Sequence, residues 1–225
     1  LLGGLELWVE LQLPPDAGRD ILIALAGPGE MGLEVFWRIR ANAPSDCAVA
    51  VIEPRGAAFT GTSASAHTHL MRAGALTGVT PAMLLLQDLR RSDAFLKALP
   101  ELKGKRRILY GRGDAAAACL YHAILDDTVS GLVLDALPAT HREGAILPRI
   151  LRVCDLEQAC GLAAPRPVGL LDGRGARRLW AQRVYERLGV RDNFVVERES
   201  LTRLIAGVRA RLNLAPRKPS VRTQR

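Results

Sequence analysis

Aromatic side chains are scarce, since Phe, Trp and Tyr make up only 4% of the 225 residues. This scarcity argues against a surface that stacks sugars or nucleobases on aromatic rings. No apolar run approaches the roughly 18–20 residues that a membrane-spanning helix needs. No secretory signal is visible, and the first residue is Leu1 rather than Met. We therefore expect a trimmed product, a domain or a fragment of a longer gene.

The four cysteines form no Cys-x-x-Cys pair, and none has a histidine at metal-ligand spacing. This pattern argues against a zinc site and predicts buried free thiols, with Cys47 at a strand entrance and Cys119 inside an apolar helix.

Gly27-Pro28-Gly29 follows an apolar run and is interpreted as a tight loop rather than a dinucleotide fingerprint. The sequence therefore predicts neither a metal nor a cofactor.

Positive charge is in excess, with 31 Lys and Arg residues against 23 Asp and Glu. The arginines are dispersed over several segments, which favours a solvated surface over a nucleic-acid face. Only residues 216–225 are basic and free of acids, and this segment contains two prolines. We predict a disordered basic tail over 214–225, no specific nucleic-acid partner and no membrane partner.

Short apolar runs alternate with amphipathic segments along most of the chain. Residues 5–13, 21–26, 47–52, 106–110, 131–134, 167–171 and 193–197 are predicted strands. Residues 32–43, 82–99, 115–125, 147–160, 177–188 and 201–212 are predicted helices. This alternation predicts an α/β fold with a mainly parallel sheet and helices on both faces. We expect residues 1–15 to be an N-terminal strand or the remnant of a preceding region, and 16–213 to be the main domain.

The segment from Tyr110 to Ala118 is the most informative motif. A predicted buried strand turns into a nearly all-apolar helix through Gly111, Gly113 and Ala115. A strand that turns sharply into a helix in the pattern small-x-nucleophile-x-small presents the catalytic residue of many hydrolases. Gly111 and Ala115 occupy the small positions, so the nucleophile position falls on Gly113, which has no side chain. The sequence thus predicts an elbow without a nucleophile.

Four stretches together resemble the α/β-hydrolase fold, specifically acetyl xylan esterase-like and dipeptidyl-peptidase-like hydrolases. They are Ile52-Glu53-Pro54-Arg55-Gly56, similar to an Asp-x-Arg-Gly turn; the helix with Gln87-Asp88-Leu89-Arg90-Arg91; Tyr110-Gly111-Arg112-Gly113; and Ala164-Pro165-Arg166-Pro167-Val168. The resemblance covers about residues 20–200 and implies a three-layer sandwich. It also implies an oxyanion loop at Gly27 and Gly29, and a catalytic acid near Asp172.

A serine hydrolase of this fold needs a nucleophile, an acid and a histidine in that chain order. No histidine follows His141, which lies after a predicted central strand near the rim of the expected cleft. Asp114 is interpreted as a cap of the following helix, although a register shifted by one would make it a carboxylate nucleophile. Asp172 without a histidine is interpreted as a turn former. Asp114, His141 and Asp172 are the candidate catalytic residues.

Two hypotheses remain open from the sequence. The first is a catalytically degenerate hydrolase domain that acts as a binding or scaffold module, with a small ester or carbohydrate-like ligand in a vestigial cleft. The second is an active ester hydrolase that uses Asp114 or a relocated serine. Ser63, Ser65, His67 and His69 lie close together in a polar stretch, which we interpret as a loop at the surface or at the rim of the site. His122 is interpreted as a core histidine, and the oligomeric state is not determined.

Overall fold

The computed structural model describes residues 7–55, 69, 72–74, 76–171 and 179–214, and seven strands and six helices have both of their ends within these ranges. The strands are β1 (Trp8–Gln12), β2 (Asp20–Leu25), β3 (Ala48–Glu53), β4 (Arg106–Arg112), β5 (Val129–Asp135), β6 (Val168–Leu171) and β7 (Phe194–Glu197). The helices are α1 (Gly32–Asn42), α2 (Pro81–Ala98), α3 (Asp114–Leu125), α4 (Leu156–Leu162), α5 (Leu179–Arg187) and α6 (Leu201–Leu214).

All seven strands belong to one sheet in the order β1-β3-β2-β4-β5-β6-β7. The pairs from β3 through β7 are parallel, whereas β1 runs antiparallel to β3 with Trp8 opposite Glu53. The predicted mainly parallel sheet is confirmed. Parallel strands bring their carboxyl ends to one edge of the sheet, and open α/β sheets bind ligands outside that edge.

Helices cover both faces of the sheet, as predicted, because both faces of its central strands are apolar. On one face Ile23 and Leu109 pack with buried residues of α2 to α5. On the other face Leu22 and Tyr110 pack with buried residues of α1 and α6. Consecutive strand residues point to opposite faces, so each central strand contributes to two apolar cores.

Helix boundaries follow local capping chemistry. The Thr80 hydroxyl accepts a hydrogen bond from the Met83 N–H, and Pro81 begins α2 at a position where no N–H is needed. The helix predicted over 147–160 is wrong as one element. A 3₁₀ turn at Ile150–Arg152 comes first, and α4 then begins after Asp155, which forms a capping box with Gln158.

The predicted domain boundaries fall near features of the sheet. Strand β1 lies within residues 1–15 and pairs with β3 of the main sheet. Helix α6 ends at Leu214, and residues 215–225 lie outside the described residues, as does the segment 172–178. Among the described residues, no helix combines the length and apolar character that crossing a membrane requires.

Candidate active site

The turn between β4 and α3 places Gly113 at its apex, with φ 59° and ψ −123°. A Cβ at Gly111 would lie 2.5 Å from the carbonyl carbon and oxygen of Ala115, so strand and helix approach each other too closely for a side chain there. A Cβ at Gly113 would meet nothing within 4 Å. The turn from β4 into α3 is therefore sharp, with room for a side chain at position 113 and none at position 111. Its apical residue offers no hydroxyl, thiol or carboxylate.

Asp114 does not cap α3, so that interpretation is wrong. The N-cap residue is Gly113, and Asp114 is the first residue of the helix, where its charge still complements the helix dipole. Its Oδ1 accepts a hydrogen bond of 2.8 Å from the Ala145 N–H. Asp114 thereby holds the loop after β5 against the start of α3. The sequence did not indicate this partner because it lies 31 residues away.

His141 is buried, with 4% exposure, rather than open at a rim. Its Nδ1 lies 2.7 Å from the Ala145 carbonyl oxygen, to which it must donate, and its Nε2 lies 2.7 Å from the Tyr121 hydroxyl. The His141 backbone N–H also donates to Asp155 Oδ1. Both ring nitrogens are therefore engaged, and a reaction at either would break an internal contact.

The predicted oxyanion loop contains an acid of its own. Glu30 Oε2 accepts a hydrogen bond of 2.8 Å from the Gly27 N–H, and Glu30 Oε1 accepts one of 2.8 Å from Arg38 Nη2. A Cβ at Gly27 would lie 3.6 Å from the Arg112 carbonyl oxygen, so this loop borders the Gly113 turn. An N–H donor that an oxyanion would need is thus already bound to a carboxylate.

A second polar group lies at the ends of β4 and β5. The Tyr110 hydroxyl donates to Asp135 Oδ2 at 3.0 Å, and Arg112 Nε lies 3.7 Å from the same oxygen. Burial raises the pKa of Asp135, and the Tyr110 hydrogen bond and the Arg112 charge oppose that rise only in part. Burial also raises the pKa of Tyr110, so its phenol stays a proton donor at neutral pH.

The turn after β3 and helix α2, two of the stretches that carry the resemblance, contact each other directly. Asp88 is fully buried, and both of its carboxylate oxygens accept from Arg55, whose Nε lies 3.0 and 2.9 Å from them. The Arg55 backbone N–H also donates to Asp88 at 3.1 Å. This bidentate pair fixes the turn after β3 against α2, close to the carboxyl edge of the sheet.

The loop after β7, where a hydrolase of this fold carries its histidine, is fully described and contains no histidine. The loop after β7 is Arg198-Glu199-Ser200, and Glu197 accepts hydrogen bonds from the N–H groups of Arg198 and Glu199. Asp172, the candidate acid, lies outside the described residues, as do Ser63, Ser65 and His67. His69 is exposed on a helical turn.

A buried ionic cluster lies at the opposite, amino edge of the sheet. His122 Nε2 lies 2.6 Å from Asp93 Oδ2, Arg107 also pairs with Asp93, and Lys97 pairs with Asp126. Ligand atoms of Asp93, His122 and Asp126 lie within 4.8 Å of one another, which is compact enough for a metal ion. The cations of Arg107 and Lys97 already neutralise these carboxylates, so the cluster fits ion pairing better than metal binding.

All four cysteines lie in the described part of the chain, and none of them forms a disulfide. Cys47, Cys119 and Cys160 are buried, as predicted, and Cys154 is half-buried. Burial raises the pKa of the Cys47 thiol to about 11, so this thiol is protonated at neutral pH.

Gly27 and Gly29 follow β2 and Gly32 begins α1, so these glycines do have the spacing G-x-G-x-x-G, and the interpretation of Gly27-Pro28-Gly29 as a tight loop alone overlooked the third glycine. Glu53 ends the next parallel strand, and its Oε2 accepts from the Gly32 N–H at 3.2 Å. A cavity of about 500 Å³ beside this loop is lined by Trp8, Leu33 and other residues of β1, α1 and β3. The glycine-rich loop therefore borders this cavity, and the carboxylates of Glu30 and Glu53 accept hydrogen bonds from the N–H groups of Gly27 and Gly32.

Neither a protein-family model nor a curated protein matches this sequence. Solved structures do match. A protein of Bacteroides fragilis NCTC 9343, provisionally named an acetyl xylan esterase, superposes with a TM-score of 0.66 at 12% identity. The match covers 84% of this chain and 62% of that one, so the chain spans less than two thirds of that protein.

Two further solved structures extend this likeness. The glucuronoyl esterase of Caldicellulosiruptor kristjansonii matches with a TM-score of 0.60 at 18% identity, over 92% of this chain and 73% of that one. The acylaminoacyl peptidase of Pyrococcus horikoshii matches with a TM-score of 0.57 at 14% identity, over 94% of this chain and 38% of that one. Identities this low establish a fold and leave the activity open. Together with the strand order and the two helical layers, they show that this chain has the α/β-hydrolase fold.

Proposed function

We propose that this domain is a catalytically degenerate relative of carboxylic-ester hydrolases that binds a ligand without hydrolysing it. The observation that carries the proposal is Gly113 at the apex of the turn between β4 and α3, where a hydrolase of this fold needs its nucleophile. A residue without a side chain cannot form the covalent acyl intermediate of such an enzyme.

Two further observations support the loss of hydrolysis. No histidine follows residue 141 in the sequence, so the loop after the last strand supplies no general base. The Gly27 N–H, at the expected oxyanion position, is bound to Glu30. A carboxylate at that position disfavours a second negative charge, which a tetrahedral oxyanion would bring.

Asp114 is a poor substitute nucleophile in this geometry. It lies one residue beyond the apex, and its Oδ1 is held by the Ala145 N–H. An attack through that oxygen would release the loop after β5. An active hydrolase that uses Asp114 or a relocated serine is therefore the alternative to this proposal, and ester hydrolysis by the wild type would contradict the proposal.

For the ligand we propose a small ester or a carbohydrate-like molecule in the cleft at the carboxyl edge of the sheet. The structural neighbours named as acetyl xylan and glucuronoyl esterases support this class. The cavity of about 500 Å³ beside β1 and α1 is within the size range of small-molecule sites, and Trp8 and Glu53 on its wall offer one flat and one polar contact.

Hydrolysis is tested on p-nitrophenyl acetate with the wild type and with Gly113→Ser. We expect both to release p-nitrophenol at the rate of buffer, because the serine alone would have neither base nor free oxyanion donor. A working esterase turns over roughly 1–1,000 times per second, far above that background. Intact mass after a fluorophosphonate reagent should show no adduct on the wild type.

Turnover above background that is lost in Asp114→Ala would contradict the proposal. A fluorophosphonate adduct on Ser63 or Ser65 would contradict it as well. Binding is tested separately by saturation-transfer NMR with acetylated xylo-oligosaccharides. Trp8→Ala should weaken the signal, whereas Trp180→Ala, which removes a tryptophan of α5, should leave it unchanged.

A further inference from the structure

The loop between β2 and α1 binds carboxylates of its own chain through backbone donors. The Gly27 N–H donates to Glu30 at 2.8 Å, and the Gly32 N–H donates to Glu53 at 3.2 Å. Gly27 is buried and Glu30 is half-buried. Backbone N–H groups that converge in a glycine-rich loop form an anion site. Here the geometry already shows which kind of anion the loop accommodates.

Arg38 completes the site around Glu30. Its Nη2 donates to Glu30 Oε1 at 2.8 Å, while its Nε is buried and has no hydrogen-bond partner among the described residues. The guanidinium also lies over the Tyr110 ring, 5.9 Å from the ring centroid. Nε–H and one Nη–H share an edge of the guanidinium that matches the two oxygens of a carboxylate. Glu30 engages only half of that edge.

Glu30 divides its two oxygens between two donors, since Oε2 accepts from the Gly27 N–H and Oε1 accepts from Arg38 Nη2, and Arg38 Nε is left without a partner among the described residues. Glu30 lies three residues after Gly27 and eight before Arg38, so its short side chain must reach both groups from a fixed backbone position. A free carboxylate has no such restraint and can place both oxygens on Nε and Nη2. A buried donor without a partner carries a desolvation cost, which that second bond would remove.

We propose that Glu30 is an intramolecular occupant of a carboxylate-binding site formed by the Gly27 N–H and Arg38, and that a small free carboxylate binds there when Glu30 leaves. This inference rests on the proposed binding role of the cleft at the carboxyl edge of the sheet, where Gly27 follows the end of β2. It adds the chemical class that the cleft recognises and a residue that regulates access. Pro28 and Gly29 are exposed next to the site, so the loop is open to solvent.

Competition with Glu30 lowers the apparent affinity of the wild type, because only molecules with Glu30 displaced can bind. Glu30→Ala removes the two outer carbons and both oxygens of the side chain. Those atoms are the heavy atoms of acetate, so acetate is the matched probe for the space that this variant opens.

The experiment follows amide chemical shifts of the ¹⁵N-labelled 225-residue chain during titration with sodium acetate at constant ionic strength. We expect Glu30→Ala to bind acetate at least about ten-fold more tightly than the wild type, with the largest shift at the Gly27 amide. Glu34→Ala is the control, since it removes an exposed carboxylate from α1, the helix that carries Arg38. It should bind acetate as the wild type does.

Arg38→Lys in the Glu30→Ala background should reverse the gain, since an ammonium group lacks the two-donor edge. Inorganic phosphate is larger than the acetate-sized space that Glu30→Ala opens, and chloride has no second atom for the two-donor edge, so both should bind more weakly than acetate. If Glu30→Ala loses its dispersed spectrum, Glu30→Gln replaces it. The neutral amide competes less well for Arg38 than the carboxylate does, so acetate should still bind more tightly than to the wild type, but the amide fills the same space, so the gain should be smaller than that of Glu30→Ala.

Equal acetate affinity in Glu30→Ala and the wild type would overturn the inference, and so would phosphate or chloride binding as tight as that of acetate. A gain that survives Arg38→Lys would also overturn it. None of these outcomes touches ester hydrolysis. Conversely, ester turnover by the wild type would refute the proposed function while leaving the acetate result standing.

Discussion

Gly113 combines a backbone conformation that L-residues rarely adopt with open space where a side chain would stand. Gly111, two residues earlier, shows the opposite restriction, because its φ is ordinary and its surroundings are full. The two glycines are therefore required for different reasons. At position 113 the positive φ disfavours any residue other than glycine, whereas at position 111 the close contact between β4 and α3 leaves no space for a side chain.

Alanine substitutions should separate these two causes. Gly113→Ala should lower the free energy of unfolding by about 1–3 kcal/mol, the usual cost of a strained backbone conformation. Gly111→Ala should cost more, because its Cβ would lie 2.5 Å from backbone atoms of Ala115 that cannot rotate away. Urea unfolding measures both.

Gly207→Ala in α6 is the control for these variants. A Cβ there would meet only Val195 at 3.9 Å, so this change should be neutral or stabilise the helix by up to about 1 kcal/mol. Wild-type stability in Gly113→Ala would show that the turn relaxes without strain and would contradict this explanation.

Helices α2 and α3 and strand β4 meet at the Asp93 cluster. Burial by itself would raise the pKa of Asp93, but hydrogen bonds from His122 and Arg107 outweigh it and hold the pKa below its ordinary value. The pKa of Asp126 is likewise lowered: burial opposes ionisation there, and the bonds from Lys97 and Thr128 prevail. The contact between these elements therefore depends on ionised carboxylates.

The sign of the pH dependence follows from the lowered pKa of Asp93. Its stabilising contribution is complete above the unfolded-state pKa of about 3.9 and is lost as the pH falls from there towards the folded-state pKa. Asp93→Asn should lower the free energy of unfolding at pH 7 by about 3 kcal/mol or more, since it leaves Arg107 buried beside a neutral group.

The stability of this variant should also fall less steeply below pH 4 than that of the wild type. Urea unfolding at a series of pH values measures the slope, and Glu34→Gln on α1, an exposed acid, should keep the wild-type slope. If the free energy of unfolding of Asp93→Asn falls below pH 4 as steeply as that of the wild type, other carboxylates account for the loss of stability in acid.

Ion pairs also join the two ends of the described chain. Arg209 of α6 pairs with Asp20 at the start of β2 and with both carboxylate oxygens of Asp46, at 2.6 to 3.1 Å. Asp20 is buried and also pairs with Arg106 of β4. The last helix is thereby fixed to the amino edge of the sheet, at the side opposite the candidate site.

Arg209→Ala should lower the free energy of unfolding by about 1.5–3 kcal/mol, the usual range for hydrogen bonds to charged groups. Arg203→Ala removes an exposed arginine from the same helix and should change stability by less than about 0.5 kcal/mol. Thermal unfolding of both variants provides the comparison. If both variants lose the same stability, Arg209 contributes only its positive charge and not its ion pairs with Asp20 and Asp46.

Local patterns in the sequence were sufficient for the order of strands and helices. Runs such as Ile21–Ala26 are apolar at every position because both faces of a central parallel strand are buried. The small residues around Gly113 indicated the sharp turn, since close packing of a strand on a helix demands them. The missing histidine after residue 141 is likewise a property of the sequence alone.

The tertiary structure alone decided which side chains meet. Asp88 pairs with Arg55 across 33 residues, His141 binds Tyr121 across 20, and the role of Glu30 depends on the direction of Arg38 on α1. Hydrophobic periodicity reports which face of an element is buried and says nothing about which polar groups converge there. The glycine at position 113 and the small residues around it are legible in the sequence, whereas only folding brings the Gly27 N–H, Glu30 and Arg38 together, because these contacts depend on how α1 packs on the sheet.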